Sequence, residues 1–363
     1  MMATIFSTEP FRLIHLYTTI SLLHSMLAAC AELKNAEKVK QFLVKHNLWN
    51  RDYLPMKALN EMFFPLNKAA KVPSARVKRV KLNFELRPDK ITIKSLLAKK
   101  LTEKQVALLP KSQEIIGSIL VLEIPPGLEK KEKLIAEAYL KLLPRIETVV
   151  KKAKIHSGEY RTRTVKVLAG KKTKETIHRE SGVQLKLHLE KAYFSPKSAN
   201  ERLRIARQVK PGEEVLVLFS GIAPFPLVLA KNSSASKIYG IEMNPLAHGY
   251  AVANVHLNKA QNVVIHRGDV RLVLPKWRSK FDRIVLPLPK ASEQFLEVVL
   301  PKAKKGSIIH LYSFLNEKDL SSSARKIKTL CKQEGREVRV LRTVKCGSFS
   351  PGIFRVCFDI KVS

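Results

Sequence analysis

Short apolar segments recur through the second half of the chain, each separated from the next by a stretch long enough for a turn and a helix. Strands that are apolar along their whole length and alternate with helices are typical of a parallel sheet covered on both faces. The pattern therefore predicts a doubly wound α/β domain. The predicted strands are 214–219, 237–241, 263–266, 281–286 and 307–311.

The beginning of the chain has a different pattern. Residues 31–44 place apolar side chains at helical spacing, with their charges on the other face. Residues 73–81 are basic and contain proline, which is typical of a linker. We therefore expect a small domain over residues 26–72, preceded by an extension of uncertain character over 1–25, since Met26 is a second possible start of translation.

Between residues 83 and 190, strand and helix signals alternate, which predicts an α+β middle domain. The α/β domain is expected to follow it over residues 191–363. The signals in the middle domain are a continuous strand over 115–124, a lysine-rich amphipathic helix over 129–143, and strands over 163–168 and 184–189 that alternate like hairpin strands around Gly170 and Gly182.

The chain carries a large positive charge. Its 66 lysines and arginines outnumber 31 aspartates and glutamates, so the formal net charge is +35 over 363 residues. Such a surplus indicates a polyanionic partner, nucleic acid before an anionic membrane surface. Hydrophobic residues make up 45% of the chain, enough to build a packed core, which argues against a disordered basic arm.

Cysteine usage argues against a metal centre or a disulfide scaffold. The four cysteines lie far apart without a CxxC pair, and the sequence has no HExxH motif. Reduced thiols suit a cytoplasmic protein. Residues 11–30 are fairly apolar, but Arg12, His15 and His24 interrupt them, so we expect no membrane anchor.

The first turn of the α/β domain is a candidate pocket for a nucleotide-like ligand. In such sheets the backbone N–H groups of the turn after the first strand face the ligand. Here that turn, Phe219-Ser220-Gly221, keeps a single glycine, so the dinucleotide-binding fingerprint with three glycines is absent.

Two carboxylates follow at the ends of the next two strands. Glu242, in the run Glu242-Met243-Asn244, is placed to hold two ribose hydroxyls, or to serve as an acid at a helix N-terminus. Asp269, which precedes Val270, can accept a hydrogen bond from an adenine amino group, or cap the helix that follows. The sequence leaves both pairs of interpretations open.

Taken in order, the strands lead into the turns SGIAPF, EMNP, GDV and LPLPK. This order resembles that of the class I S-adenosylmethionine-dependent methyltransferases, which have a Rossmann-like fold. A nicotinamide-dependent enzyme would need further glycines in the first turn. The fold class implied is thus a class I methyltransferase domain that follows the α+β middle domain and the small N-terminal domain.

Three further motifs narrow the resemblance. They are HSGEYRTR at 156–163, TIHRESG at 176–182, and YFSP at 193–196 with Glu201-Arg202. Together they resemble the archaeal and eukaryotic tRNA (guanine-37 N1)-methyltransferases over residues 85–363. After the fourth strand that family carries Asn-Leu-Pro or Asn-Pro-Pro, whereas this chain has Pro287-Leu288-Pro289, which resembles the archaeal branch that makes wyosine bases.

The resemblance implies a reaction. Members of that branch methylate C7 of 4-demethylwyosine and, in several cases, N1 of guanosine at position 37 of tRNA; the missing asparagine argues against efficient N1 methylation of plain guanosine. Glu201 is implied as the base that removes the purine proton, and Arg161, with Arg163 as second choice, as the cation near O6. From the residues alone, Glu201 could equally lie on a solvated helix face, and the arginines could contact phosphates.

The resemblance also implies which residues bind S-adenosyl-L-methionine. Tyr193 would stack on the methionine part of the cofactor or on the target base, Arg202 would reach the cofactor carboxylate, and Pro287 would line the base pocket. The rest of the implied cofactor site is Phe219, Ser220, Gly221, Glu242, Met243, Asn244, Asp269 and Val270.

Two other functions stay open. One is an aminocarboxypropyl transferase of the same pathway, which uses the same cofactor and transfers its other arm; the intact Glu201 and the Pro-Leu-Pro motif favour methyl transfer. The other is a non-catalytic tRNA-binding protein with the same fold. The partner expected is tRNA, with tRNA-Phe implied by the resemblance, and we expect a cytoplasmic monomer.

Overall fold

The computed structural model describes residues 25–87, 91–110, 113–157 and 162–363. The chain divides into two compact units, Met1–Lys90 and Ile91–Ser363. The finer boundary that the sequence predicts at residue 190 lies inside the second unit and stays a prediction. In the described residues no helix is long and apolar enough to cross a membrane.

The first unit is a four-stranded antiparallel sheet with one helix packed on it. The strand order is β2-β3-β1-β4, and the helix buries Val39 and Leu43 against the sheet. Its elements are β1 (Met26–Glu32), α1 (Ala36–Lys45), β2 (Met56–Ala58), β3 (Glu61–Pro65) and β4 (Arg76–Val80).

Of two sequence predictions for this unit, one is confirmed and the other is wrong. The helix predicted over residues 31–44 is confirmed in α1, although its first residues belong to β1. The linker predicted over residues 73–81 is wrong, because Arg76–Val80 pairs with β1 as an edge strand. Its alternating basic side chains look like a linker in the sequence, while Val80 supplies the buried contact that the pairing needs.

The second unit begins with a four-stranded sheet in the order β5-β6-β7-β8. A helix crosses between the parallel pair β6 and β7, and the other pairs are antiparallel. The elements are α2 (Ile93–Leu97), α3 (Glu103–Ala107), β5 (Gln113–Ile116), β6 (Ile119–Leu122), α4 (Glu132–Leu142), β7 (Thr148–Ser157) and β8 (Thr162–Gly170).

The lysine-rich helix predicted over residues 129–143 is confirmed by α4 and the 3-10 turn before it. The continuous strand predicted over 115–124 is wrong. Gly117, at φ +56°, reverses the chain and makes a hairpin of β5 and β6. A Cβ at Gly117 would lie 2.2 Å from the hydroxyl oxygen of Thr176, so no larger residue fits this turn.

A two-stranded hairpin, β9 (Glu175–Glu180) and β10 (Val183–His188), leads into the α/β domain. Its turn at Gly182 is as predicted. The strand predicted over 163–168 is also present, as β8, but it pairs with β7 and not around Gly170 with the next strand.

The α/β domain holds a seven-stranded sheet in the order β13-β12-β11-β14-β15-β17-β16. The five strands from β11 to β15 are parallel, as predicted, while β17 runs antiparallel to both its neighbours. The strands are β11 (Glu214–Leu218), β12 (Lys237–Glu242), β13 (Val263–Arg267), β14 (Phe281–Leu286), β15 (Ala303–Asn316), β16 (Val338–Ser350) and β17 (Ile353–Val362).

Helices cover both faces of this sheet, and each face has its own buried cluster. The closing hairpin of β16 and β17 was not predicted from the sequence. The helices are α5 (Ala199–Ala206), α6 (Pro224–Asn232), α7 (Pro245–Leu257), α8 (Val270–Val273), α9 (Leu296–Val299) and α10 (Leu320–Gln333).

The β9–β10 hairpin is fixed to the α/β domain by Asn254 on α7 and by Asn258, the residue that follows α7. Asn254, fully buried, accepts from the backbone N–H of Lys186 at 2.7 Å and donates to the carbonyl oxygens of Lys186 and Ile222, both at 3.0 Å. Asn258 makes the same exchange with Gln184. A buried amide with all these partners holds a single arrangement, so the hairpin is registered against the turn that follows β11.

Candidate active site

A cavity of about 190 Å³ opens at the carboxyl ends of β11, β12, β14 and β15. This is the edge at which open α/β sheets bind their ligands. Its lining includes most of the residues proposed from the sequence: Tyr193, Glu201, Arg202, Phe219, Ser220, Gly221, Glu242, Met243, Asn244 and Pro287.

The turn after β11 has an uncommon backbone. Gly221 has φ +57°, and the non-glycine residues Phe219 and Ala223 are also left-handed, at +51° and +68°. Left-handed conformations of non-glycine residues are uncommon and concentrate at ligand sites. Among the described residues, the hydroxyl oxygen of Ser220 is one of few buried side-chain polar atoms without a hydrogen-bond partner. The turn is thus built to present polar groups beside the cavity.

The carboxylate of Glu242 closes the next side of the cavity. It accepts hydrogen bonds from the backbone N–H groups of Gly221 at 2.7 Å and Asn244 at 2.8 Å. Burial raises the pKa of Glu242 above its ordinary value, against these hydrogen bonds. The Asn244 side chain caps α7 and donates to the carbonyl oxygen of Lys191 at 2.9 Å. Glu242 therefore lies at the end of β12 on the cavity wall, and its role as a ribose-binding acid stays a prediction.

Glu201 is clamped in place at the opposite wall. It lies on α5 with 4% of its surface exposed, so it is not on a solvated helix face. Arg204 donates from Nε to Oε2 at 2.7 Å and from Nη2 to Oε1 at 2.8 Å, and the hydroxyl of Tyr312 donates to Oε1 at 2.6 Å. Burial beside this carboxylate raises the pKa of Tyr312 well above its ordinary value, which keeps that hydroxyl a donor.

Behind Glu201, a chain of hydrogen bonds crosses the sheet through Arg204, Asp359, His310 and Arg283. Arg204 also holds Asp359 on β17 with two hydrogen bonds, at 2.7 and 3.1 Å. Asp359 lies 2.7 Å from Nδ1 of His310, whose Nε2 lies 2.7 Å from Nη1 of Arg283. Because Arg283 can only donate, Nε2 accepts and Nδ1 carries the proton, so His310 is neutral. Burial lowers the pKa of His310, in agreement with that state.

Arg202 has a partner other than a ligand. Its guanidinium makes a two-pronged ion pair with Glu180 of β9, with donor–acceptor distances of 2.5 and 2.6 Å, and both side chains are almost fully buried. The same group lies over the rings of Phe194 and Phe225, 5.4 and 5.9 Å from their centroids. Burial opposes ionisation of Glu180, but the hydrogen bonds from His178 and Arg202 outweigh it and lower its pKa. Arg202 therefore joins the hairpin to the cavity wall.

Three of the predicted residues that the structure describes, Arg163, Asp269 and Val270, do not line the cavity. Arg163 is buried, pairs with Glu114 at 2.8 Å, and donates to the carbonyl oxygen of Phe194 at 3.1 Å, so it braces the cavity wall from behind. Asp269 accepts from the N–H of Arg271 at 2.8 Å and caps α8, in the second of its two proposed roles. Val270 is buried next to it in the core. Arg161 lies outside the described residues.

Some residues at the site were not found from the sequence. Tyr312 and Phe314 on β15 and Arg355 on β17 line the cavity, and Arg204 and Asp359 support Glu201 from behind. Only Arg204 had a local signal, its spacing of three residues from Glu201 on one helix. The others lie more than 100 residues further along the chain.

The sheet order and this cavity define a class I methyltransferase fold. A family model described as the TRM5/TYW2 methyltransferase domain matches residues 176–341, and one described as the TYW2 N-terminal domain matches residues 93–173.

Curated relatives agree with these matches. The chain is 32% identical to "tRNA (guanine(37)-N(1))-methyltransferase Trm5b" of Pyrococcus abyssi, over 93% of this chain and 99% of the relative. It is 34% identical to a "tRNA(Phe) (4-demethylwyosine(37)-C(7)) aminocarboxypropyltransferase" of Pyrococcus horikoshii, over 74% and 96%. It is 29% identical to the "tRNA (guanine(37)-N(1))/4-demethylwyosine(37)-methyltransferase Taw22" of Nanoarchaeum equitans, over 61% and 90%.

Solved structures give the same grouping. Trm5b from Pyrococcus abyssi superposes with a TM-score of 0.70 at 32% identity, over 93% of this chain and 99% of that one. A complex of aTrm5 and tRNALeu gives 0.66 at 26%, over 93% and 100%. Pyrococcus horikoshii TYW2 in complex with MeSAdo gives 0.64 at 32%, over 74% and 97%.

The chain belongs to the TRM5/TYW2 methyltransferase family. The family resemblance, the fold class and the methyltransferase activity predicted from the sequence are confirmed. The prediction of S-adenosylmethionine as cofactor is confirmed as well, and a TYW2 of Methanocaldococcus jannaschii was solved in complex with AdoMet (TM-score 0.55 at 25% identity, over 69% of this chain and 99% of that one). The cavity fits this cofactor, because a buried carboxylate, an unpartnered serine hydroxyl and apolar walls are what a ribose and an adenine require.

Proposed function

We propose that this protein transfers the methyl group of S-adenosylmethionine to the purine at position 37 of tRNA, at C7 of 4-demethylwyosine, at N1 of guanosine, or at both. The observation that carries the proposal is the buried, clamped carboxylate of Glu201 on the wall of the cofactor cavity. Either methyl acceptor must lose a proton, and a fixed carboxylate can take it.

The hydrogen bonds of Glu201 leave room for that proton. A carboxylate has about four lone-pair sites. Arg204 and Tyr312 occupy two on Oε1, and Arg204 occupies one on Oε2, which leaves one on Oε2 for the substrate. When Glu201 becomes neutral, Arg204 still has Asp359 as a counter-charge. The clamp therefore supports both protonation states of the base.

The cofactor supplies a methyl group on a sulfonium, an electrophile that needs no further activation. The residues that would hold it are Glu242 for the ribose hydroxyls, the Ser220-Gly221 turn, and Met243 and Pro287 for the apolar parts. Tyr193, at the mouth of the cavity, would meet the methionine part or the target base. Arg202 would reach the cofactor carboxylate only through Nη1, because Nε and Nη2 donate to Glu180 and Nη2 also donates to the carbonyl oxygen of Ser195.

Aminocarboxypropyl transfer is the second candidate, because relatives with that name are about as similar in sequence. The share of this chain that each relative matches favours methyl transfer. The methyltransferase relative from Pyrococcus abyssi matches 93% of the chain and so includes most of the first unit, whereas the aminocarboxypropyltransferase matches 74%.

Isotope position separates the two reactions. The protein is incubated with tRNA-Phe transcripts that carry guanosine or 4-demethylwyosine at position 37, and with S-adenosylmethionine labelled either in the methyl group or in the carboxyl carbon. Methyl transfer moves only the methyl label into RNA, and aminocarboxypropyl transfer moves only the carboxyl label. Incorporation of the carboxyl label alone would overturn the proposal, and no incorporation by a folded protein that binds cofactor would favour a non-catalytic role.

The partner is proposed to be tRNA, with tRNA-Phe as the species that the resemblance implies, and the protein is proposed to be a monomer. A transcript panel in which only tRNA-Phe accepts methyl groups would support the first. Size-exclusion chromatography with light scattering tests the second, with 41.1 kDa expected. A cytoplasmic location is proposed with them.

A further inference from the structure

An exposed aromatic ring stands beside the cavity and plays no part in the reaction proposed above. Phe349, on β16, has 57% of its surface exposed. Its ring stacks on that of Phe314, with centroids 4.1 Å apart and planes 29° apart. Phe314 itself lines the cavity. The stacked pair therefore forms a continuous aromatic surface from the cavity wall to solvent.

The backbone is shaped to place Phe349 there. In sheet order β17 lies between β16 and β15, so a side chain on β16 does not ordinarily reach a ring on β15. The pairing of β16 with β17 shifts register between Lys345 and Ser348 and again between Ser348 and Ser350. Such bulges bend a strand and re-aim its side chains. Phe349 lies between the two pairs of the second shift.

Arg355 braces this end of the hairpin. Its guanidinium donates to the carbonyl oxygen of Cys346 at 2.8 Å and to the hydroxyl of Ser198 at 2.6 Å, joining β16 to the cavity wall. Gly347 makes room for it, since a Cβ there would lie 3.3 Å from Nη2 of Arg355. The aromatic surface is thus held in place before any partner binds.

The surroundings of the pair are basic and continuous with the base pocket. The N–H of Phe314 donates to the carbonyl oxygen of Pro289 at 3.2 Å, so the ring adjoins the loop that carries Pro287. Lys290 follows that loop and Lys197 precedes Ser198, and both lysines are exposed. Single-stranded nucleic acids bind surfaces that combine exposed rings for the bases with cations for the phosphates.

We propose that Phe349 is a stacking platform for the unpaired nucleobase next to the modified purine in the RNA. A purine turned out into the cavity leaves its neighbour without a stacking partner on one side, and the exposed ring of Phe349 replaces it. Single exposed phenylalanines are common in proteins, but this one is stacked on a residue of the cavity and carried there by two bulges. The proposal rests on the proposed RNA substrate.

Phe349→Ala tests it with steady-state kinetics on tRNA-Phe transcripts that carry 4-demethylwyosine or guanosine at position 37, whichever the wild-type protein methylates. Loss of one base–aromatic stack is expected to raise KM for RNA about five- to a hundredfold, with kcat and the Kd for S-adenosylmethionine near wild type. Phe349→Tyr keeps a ring and should restore KM. Phe349→Leu keeps apolar area without a ring and should not; a wild-type KM for that variant would overturn the proposal. The control is Leu341→Ala, an exposed apolar side chain on the same strand.

A direct probe is 2-aminopurine placed at position 36 or 38 of the transcript. Stacking on Phe349 is expected to quench its fluorescence with the wild-type protein and less with Phe349→Ala, at saturating protein. If wild-type protein modifies the RNA but Phe349→Ala matches it in both KM and quenching, the platform is wrong and the proposed function stands. If wild-type protein transfers nothing to RNA, the proposed function itself fails.

Discussion

At the scale of single residues, the candidate base is defined by what surrounds it. Motif resemblance singled out Glu201 from the sequence. Its clamp could not be predicted, because Tyr312 and Asp359 lie 111 and 155 residues away from the groups they contact. The sequence also offered Arg163 as a cation near the substrate, and folding instead pairs it with Glu114, a contact that spacing does not reveal.

Glu201→Gln removes the proton acceptor and keeps the shape of the side chain. Transfer to RNA is expected to fall about 100- to 10,000-fold, the usual contribution of a general base. The Kd for S-adenosylmethionine should stay within about twofold, measured by equilibrium dialysis. Glu147→Gln, at an exposed ion pair with Lys171, is the control. Loss of cofactor binding in Glu201→Gln would assign that residue to the cofactor site instead.

At the scale of elements, the sequence predicts those helices and strands whose hydrophobic pattern is local and regular. The five parallel strands are apolar throughout because helices cover both their faces, and all five were found. The closing hairpin of β16 and β17 was not, since its strands mix apolar and charged residues and only the turn Pro351-Gly352 between them gives a local signal. The split of β5 from β6 depends on Gly117 inside an otherwise apolar run, where the backbone of β9 leaves no space for a side chain.

Substituting alanine at two glycines of the α/β domain compares a closely packed site with an open one. A Cβ at Gly240, on β12, would lie 2.6 Å from Ile265 and 3.0 Å from the hydroxyl of Ser220, so Gly240→Ala should lower the free energy of unfolding by about 1–3 kcal/mol. Gly249, exposed on α7, has nothing within 4 Å, and Gly249→Ala should raise it by about 0.5–1 kcal/mol. Urea unfolding measures both; equal effects of one sign would contradict the packing described.

The hydrogen-bonded pair of His310 on β15 and Asp359 on β17 predicts how the free energy of unfolding depends on pH. Burial lowers the pKa of His310, so below pH 6.5 the unfolded chain binds a proton that the folded one does not, and the free energy of unfolding falls as the pH drops from 7. Burial opposes ionisation of Asp359, but the hydrogen bonds of His310 and Arg204 outweigh it and lower its pKa, which adds a second loss below about pH 4.

His310→Gln is the test of that dependence, since glutamine can donate to Asp359 and accept from Arg283. The slope of unfolding free energy between pH 7 and 5 should become shallower by up to about 1.4 kcal/mol per pH unit, measured by urea unfolding. Burial also lowers the pKa of His188 and of His266, so the comparison is made with wild type at each pH. An unchanged slope would mean that His310 titrates alike in both states.

At the scale of the whole molecule, binding to RNA accounts for the net charge of +35. Both units contribute to it, with Arg76, Lys78 and Arg79 on β4 and Arg339 and Arg342 on β16 among the exposed cations. A chain that binds one base in its cavity has no need of so much charge there. The surplus fits an RNA that is held through its phosphates over a wide surface.

Binding to tRNA should therefore depend steeply on salt. Between 50 and 200 mM KCl we expect the Kd for a tRNA-Phe transcript to rise about 100-fold or more, from the counterions that phosphate contacts release. Filter binding measures it. The Kd for S-adenosylmethionine, a small ligand in a formed cavity, should change little over the same range. A flat response for tRNA would contradict the electrostatic interpretation.

Methyl transfer to position 37 is tested most directly by nucleoside mass spectrometry. Transcripts of tRNA-Phe carrying guanosine or 4-demethylwyosine at position 37 are incubated with the protein and S-adenosylmethionine, then digested. We predict a gain of one methyl group on the nucleoside from position 37, and the larger yield on 4-demethylwyosine. A gain of an aminocarboxypropyl group, or no gain on either RNA by a folded protein that binds cofactor, would contradict it.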